Sequence, residues 1–381
     1  MQRKNMAFSY WESNEWLEGI DLCIIGGGIV CLSSALFARE LDRDWKITVI
    51  DEDPIGHGGS SKNAGFTCFG SYSELKEDRK LLGDQAALEL VQSRINGLRL
   101  LLSTFEREDI GYNASGSFEF FPSGSREPLP NAGEIQEMNQ WIHQATGFPD
   151  TFQLVDAEPI PEYRSHPGEQ ALFSKLEGTL DTGKLNRRFR EKVQQNRIDL
   201  INGCRIDTLE KVGNDWRIKI ISSKAEKWTH IPHVIVATNA FGKELIPHVD
   251  VIPIPNLVLV TEPITSWVFN HAVHIDAGYV YIRNIGNRML IGGGRHWNLD
   301  QSQTRNQLIK WLHEMFPRTQ EVQIEYEWTG ILGIGNERST IVESFGKNGI
   351  AALIMGGMGI AIGMNVAKQA IQELEHQMHG D

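Results

Sequence analysis

Cysteine is scarce: Cys23, Cys31, Cys68 and Cys204 are the only four in 381 residues, with no C-x-x-C and no paired spacing. That pattern excludes a disulfide scaffold and the usual zinc, iron–sulfur and haem frameworks, so no metal ligand set is expected and a reducing, cytoplasmic setting is the simple reading. Basic residues are also few, with 37 Lys and Arg against 49 Asp and Glu and a net charge of −12. The single basic run, Asn186 to Arg190, reads as a solvated helix face. No nucleic-acid partner is expected, because phosphate backbones are held by an excess of Lys and Arg. Long apolar runs are missing too. Leu22 to Ala38 is uncharged for 17 residues but carries three consecutive glycines and two serines, which argues against a membrane span. Residues 1–20 carry Arg3, Lys4, Glu12, Glu15 and Glu18 without an apolar segment, so a secretory signal is not expected. Internal repeats and low-complexity stretches are absent.

What is present is ordinary globular composition, 41% hydrophobic and 23% charged, over a length that suits two domains or one large two-part fold. Near its start the chain reads Asp21-Leu22-Cys23-Ile24-Ile25-Gly26-Gly27-Gly28-Ile29-Val30-Cys31, closed by Thr48-Val49-Ile50-Asp51. Leu22 to Ile25 fits a buried parallel strand, the glycines allow backbone to approach a pyrophosphate, and Ile29 to Leu41 fits a helix whose N-terminus attracts the anion. Asp51 ends the next strand 20 residues beyond Cys31, where an acid can accept from ribose hydroxyls. The segment therefore reads as a βαβ unit for a nucleotide cofactor. Its third glycine position is Cys31; that position serves helix–strand packing, which a small buried thiol can provide.

Further along, Gly56 to Gly65 is too glycine-rich and polar for an element interior and reads as a loop beside the cofactor. Ser71 to Arg107 has the apolar spacing of a helix, Tyr112 to Phe121 alternates as a strand, and Pro122 to Gly133 reads as a loop. A helix is expected from Leu185 to about Gln195, with strands at Ile198 to Ile206, Leu209 to Val212 and Trp216 to Ile221, then a buried strand over His233 to Asn239. Val251 to Val260, Gly278 to Ile282, Arg288 to Gly292 and Gln323 to Glu327 suggest an antiparallel sheet, and Gln301 to Met315 a helix. Ile350 to Ile354, a glycine turn and a closing helix from Ile360 to Met378 return the chain to the nucleotide unit.

Seven landmarks in order, IIGGGIVCLSSAL, VIDEDPIGHGGSSKNAGF, LDTGKL, VIVATNAF, YVYIRNIGNRMLIGGG, YEWTGILGIG and LIMGGMGIAIGMNVA, resemble the flavin-dependent amine and amino-acid oxidase superfamily. That superfamily includes D-amino-acid oxidase, glycine oxidase, sarcosine oxidase and γ-glutamylputrescine oxidase. The resemblance implies an α/β plus antiparallel-β architecture: a discontinuous Rossmann-type FAD-binding domain (18–80, 168–245 and 326–381) and a mixed or antiparallel-sheet substrate domain (81–167 and 246–325). FAD would lie on Gly26, Gly28 and Ile29, with its ribose on Asp51 and Glu52. Ser60, Lys62, Asn63, Ala64 and Gly65 would border the ring and ribityl chain, helped by Thr238 and Gly330. Gly356, Gly357, Met358, Gly359 and Ile360 would place helix N-terminal amides where a reduced flavin gathers negative charge.

The resemblance further implies hydride transfer from a C–H beside an amine, then hydrolysis of the imine, and reoxidation by dioxygen to hydrogen peroxide. Tyr279, Tyr281, Arg288 and Trp328 are its candidate catalytic residues. Two departures bear on specificity. Members that oxidise free amino acids carry a carboxylate-binding arginine two residues after the Thr329-Gly330 step, where this chain has Leu332, so an amine, an N-substituted amine or an N-modified amino acid is expected; Arg283, Arg288 or Arg338 could replace the anchor. Leu332 to Glu337 also has no cysteine, so the flavin should be non-covalent. A flavin dehydrogenase with another acceptor, and a flavin-binding protein without turnover, are the alternative readings. Oligomeric state stays open.

Overall fold

In the computed structural model the described residues are 7–56, 58–122, 126–335 and 340–379. Apolar tetrads without alternation, such as Leu22–Ile25, need cover on both faces, and they assemble into a six-stranded sheet. Its strand order is Ile341–Gly346, Gly349–Leu353, His233–Val236, Leu22–Ile25, Ile47–Asp51, Asp199–Asn202, parallel except for the first pair. Leu22 and Ile24 face a core shared with helices Ile29–Leu41, Asp84–Thr104, Thr182–Gln195 and Gly359–His379. Cys23 and Ile25 face the opposite way, onto the three-stranded meander Cys204–Val212, Asp215–Ser222 and Glu226–Ile231. The parallel run interrupted by a meander is as the sequence suggests.

The second sheet has eight strands in the order Ile324–Ile334, Ile252–Thr261, Arg288–Gly293, Val280–Ile285, Ala272–Ile275, Ser117–Phe120, Gln170–Ser174, Gln153–Asp156. Only the pair Ala272–Ile275 with Ser117–Phe120 is parallel. Leu257, Leu259, Ile282 and Ile291 pack on helix Gln301–Met315. Val258, Val260, Leu290 and Tyr281 turn the other way, against Ala64 of the glycine-rich loop.

Strands Gln170–Ser174 and Ile324–Ile334, which overlap the stretches 168–245 and 326–381 read with the cofactor domain, pair in the eight-stranded sheet. Two expectations are corrected. The segment 71–107 is two helices, Tyr72–Leu82 and Asp84–Thr104, because Gly83 at φ +80° breaks the helical path. The stretch after Pro122 includes a helix, Ala132–Thr146, opened by a capping box in which Asn131 and Glu134 accept from each other's backbone N–H. No helix among the described residues is long and apolar enough to cross a membrane.

Candidate active site

The strand ends of the six-stranded sheet and one face of the large sheet open on a common space. Gly26, Gly28, Ile29, Asp51, Glu52, Ser60, Lys62, Asn63, Ala64, Gly65, Thr238, Gly330, Gly356, Gly357, Met358, Gly359 and Ile360 all line one cavity of about 790 Å³. Residues more than 300 positions apart in sequence thus share a wall, because His233–Val236 pairs in parallel with both the first strand and the last.

At the opening turn a Cβ on Gly27 would lie 2.0 Å from Asp51 Oδ2, so only glycine lets the acid lie across the turn. Ile29 N–H, at the start of the helix, donates to Ser60 Oγ at 2.8 Å. Burial pushes the Asp51 carboxyl above its usual range, while Arg190 draws it down. Arg190 belongs to the run read as a solvated face; its Nη2 and Asp51 Oδ2 lie 2.9 and 3.5 Å from where a Cβ on Gly56 would stand. Cys31 fills the third-glycine position as a packing residue. Its thiol donates to Ala237 O at 3.3 Å and Ile25 O at 3.7 Å, and burial pushes it up to about 12, leaving no reactive thiolate.

The loop is held from behind. Asn63 Nδ2 donates to Ser60 O (2.7 Å), while its Oδ1 accepts from Gly65 N–H (2.9 Å) and Thr182 Oγ1 (2.8 Å). Trp328 Nε1 donates to Lys62 O at 2.9 Å; the indole braces the loop and does not line the cavity. Arg283 reaches beneath, its Nη1 donating to Ala64 O, Gly65 O and Leu180 O, and burial pushes it down to about 10. Those engaged donors remove Arg283 as a substrate anchor. Arg288 is corrected likewise: it lies outside the cavity, paired with Glu325 and donating to Thr261 O at 2.8 Å. Arg338 lies outside the described residues.

Beyond the loop the cavity runs along the large sheet. Tyr279 and Tyr281 line it, with Asn256, His274 and Arg295, which the sequence reading missed. Tyr281 lies flat over Gly292, where any Cβ would meet its ring at 2.5 Å, and its hydroxyl accepts from Asn256 Nδ2 at 2.6 Å. Burial pushes the phenol up to about 12, against the pull of the Arg295 charge, so it stays protonated at neutral pH. Phe66, Cys68, Glu74, Asp78 and Arg94 complete this end, with Arg94 3.2 Å from Asp78 and 3.7 Å from Glu74.

Beside the cavity wall is a buried polar knot. His274 Nε2 lies 3.0 Å from Glu177 Oε2, which also accepts from Ser117 Oγ at 2.6 Å; Glu177 Oε1 accepts from Phe69 and Gly70 N–H. Burial acts against both charges, yet their mutual attraction and hydrogen bonds leave Glu177 lowered and His274 raised. Neighbouring Glu119 is pushed by burial up to about 7. Cys68, Glu177 and His274 offer donor atoms within 4.8 Å of one another, but Cys68 is pushed well up as a thiol and both Glu177 oxygens are engaged. The cluster has the chemistry of a satisfied ion pair.

A glycine cradle at a helix N-terminus, continuous with a chamber under an aromatic-bearing antiparallel sheet, defines a dinucleotide-dependent oxidoreductase. The DAO family model, described as FAD dependent oxidoreductase, matches residues 21–373, and the chain belongs to that family. It is 26% identical over 328 residues to gamma-glutamylputrescine oxidoreductase of Escherichia coli K12, covering 81% of this chain and 73% of that one. Among solved structures it resembles L-proline dehydrogenase from P. horikoshii (TM-score 0.73, 15% identity, 93% of each chain). It also resembles glycine oxidase from Bacillus cereus (TM-score 0.71, 18% identity, 93% of this chain and 95% of that one).

The chain is therefore an FAD-dependent oxidoreductase, and the residues present suit FAD. Gly27 and Asp51 interlock at the cradle, and Thr238 Oγ1, buried on the cavity wall, has no hydrogen-bond partner among the described residues. At the far end the helix Gly359–His379 begins on the cavity wall after a bend at Gly356. Just before it Ile354, a β-branched residue, is held at φ +61°, the local strain that ligand clamps tolerate.

Proposed function

We propose that the protein oxidises the C–N bond of an amine, an N-substituted amine or an N-modified amino acid, with dioxygen as the electron acceptor and hydrogen peroxide as product. The observation that carries this reading is the single cavity joining the dinucleotide cradle to the Tyr281–Asn256 wall. Leu332 on that cavity wall adds to it, because it leaves a simple amino-acid carboxylate without a partner at that position. The name of the E. coli relative, which specifies a glutamylated amine, points the same way.

Bound FAD would supply the two-electron oxidant that turns the C–N bond into an imine, which water then hydrolyses. The protein's part is positioning and electrostatics. Tyr281 accepts from Asn256 and keeps its own proton to donate to a group in the chamber. Tyr279 flanks the same space, Trp328 fixes the loop bearing Lys62, and the amides opening the helix at Gly359 and Ile360 would face the cofactor's electron-rich edge. Arg288 is given a structural role, tying strand Arg288–Gly293 to Thr261 and Glu325.

The purified protein should show a flavin absorbance spectrum, and anaerobic titration with a panel of amines and amino acids should bleach it. No bleaching by any member overturns the reading, and slow recovery of colour on mixing with air overturns dioxygen as acceptor. Acid precipitation is expected to leave the yellow colour in the supernatant; colour in the pellet would show a covalent link.

A further inference from the structure

The buried knot beside the chamber holds one acid more than its cation can balance. Glu119, Glu177 and His274 are each 5% exposed or less, two carboxyls for one imidazole. His274 already faces Glu177 at 3.0 Å. Glu119 is served by neutral donors, Ser71 Oγ at 3.1 Å from Oε1 and Ser73 N–H at 3.3 Å from both carboxyl oxygens. An ionised Glu119 therefore stands as a second buried anion against a single cation, whereas a protonated Glu119 leaves the knot neutral.

The groups packed on Glu119 leave that proton free to come and go. Ser71, Ser73 and Tyr72 face it from helix Tyr72–Leu82 and its cap, His274 faces it from strand Ala272–Ile275, and its partner in strand Gln170–Ser174 is the apolar Leu172. Tyr72 is pushed up to about 12 and stays neutral, and Arg94 is engaged by Asp78 and Glu74. Burial raises the Glu119 carboxyl to about 7 against the pull of His274, so the site is close to half filled near neutrality. Ser71 suits either state, since a hydroxyl donates to a carboxylate and accepts from a carboxylic acid. The site is also tied to the chamber: Glu119, His274, Tyr281, Gly292, Val258 and Trp328 are cross-strand partners in succession, and His274 and Tyr281 line the cavity.

We propose that Glu119 is an exchangeable-proton site serving the chamber, taking a proton from solvent as the cavity gains negative charge on reduction of the cofactor and returning it on reoxidation. Two-electron reduction with uptake of one proton leaves one net negative charge in the cavity; Glu119 adds a fraction of a proton to that balance and no electrons. It touches neither cofactor nor substrate and acts through His274, as a positioning residue that sets the charge of the chamber wall. The assignment rests on the family's FAD and is independent of which bond the cofactor oxidises.

The test is the midpoint potential of the holoenzyme as a function of pH, measured against redox dyes with a chemical reductant so that no amine is needed. Glu119→Gln keeps an acceptor for Ser73 N–H and fixes the site in a neutral state. For a tenfold rise in the proton affinity of Glu119 on reduction, the wild-type potential should run with that of Glu119→Gln below about pH 6 and lie about 30 mV beneath it above about pH 9, with the steeper stretch between. A reduced-minus-oxidised infrared spectrum at about pH 7.5 should show a gain of buried carboxylic-acid C=O absorption in the wild type and none in Glu119→Gln. Parallel potential lines for the two proteins overturn the assignment. So does a wild-type line of single slope through the neutral range, an outcome that decides the matter even where Glu119→Gln does not hold the cofactor. Failure of every amine to bleach the flavin would overturn the amine reading and leave the Glu119 site standing on its own measurement.

Discussion

Replacing Glu177 by alanine is expected to lower the unfolding free energy by about 3 to 5 kcal/mol, the range for breaking a buried ion pair on one side only. Glu177 is 1% exposed and joins three separate pieces of chain, the backbone at Phe69 and Gly70, Ser117 on one strand of the large sheet and His274 on another. Removing it orphans two buried N–H groups and leaves His274 buried without its counter-charge. Glu177→Gln, which keeps an acceptor but no charge, should fall between wild type and alanine. Urea unfolding followed by tryptophan fluorescence gives the numbers, and a loss below about 1 kcal/mol would show the pair to be energetically idle. The pH dependence has two limbs. Glu177 is depressed, so its contribution is present above the ordinary carboxyl value of 4.5 and is lost as pH falls through its lower folded value. His274 is raised, so its contribution is complete below 6.5 and is lost as pH rises through its higher folded value. The advantage of wild type over Glu177→Gln should therefore be greatest between about pH 4.5 and 6.5 and shrink on both sides.

Such a pair also shows where sequence reading stops. His274 and Glu177 are 97 residues apart, and nothing local marks either as the other's partner. The opening βαβ unit is the opposite case: strand, turn, helix and acid are contiguous, each specified by short-range chemistry, and helix Ile29–Leu41 has the limits read from its apolar spacing and glycine start. Helix Gln301–Met315 was legible for the same reason, with Asp300 and Gln303 forming its capping box. Ala132–Thr146 had an equivalent signal in Asn131 and Glu134 and was missed because the preceding proline and glycine residues read as loop. The edge strand Gln153–Asp156 has mostly exposed side chains and no apolar alternation to betray it.

The cofactor cradle and the substrate chamber differ in the same way. The cradle's side of the cavity is built mostly from backbone, so glycines at fixed spacing announce it. On the chamber side, one arginine of the Arg283–Arg288–Arg295 series is buried under three carbonyls, one pairs at the rim and one faces the cavity. Residue type alone does not sort them. Strand register and the turn after Gly293 do, by deciding which guanidinium meets a carboxylate first. Asn256 had a weak signal, a lone amide in an apolar strand, that gains meaning only when its register beside Gly330 and its bond to Tyr281 are known.

Gly27→Ala is expected to weaken FAD binding by about 100-fold or more, a larger effect on function than any substitution in the chamber. The new methyl would stand 2.0 Å from Asp51 Oδ2, 2.6 Å from Cγ and 2.9 Å from Cβ, so the whole carboxyl group must leave its place. What would be lost, on the proposed placement of FAD, is a charge-assisted hydrogen bond from the ribose to the acid, worth about 1.5 to 3 kcal/mol, together with close approach of the phosphates to the turn. Titrating apoprotein with FAD and following the flavin's fluorescence measures the change directly. Asp51→Ala alone should cost about 30-fold, and the double variant little more than Gly27→Ala alone, because the displaced acid cannot be lost twice. Fully additive losses would mean that the methyl obstructs the phosphates rather than Asp51. An unchanged affinity in Gly27→Ala would place the cofactor away from this turn and remove the basis for the entire site.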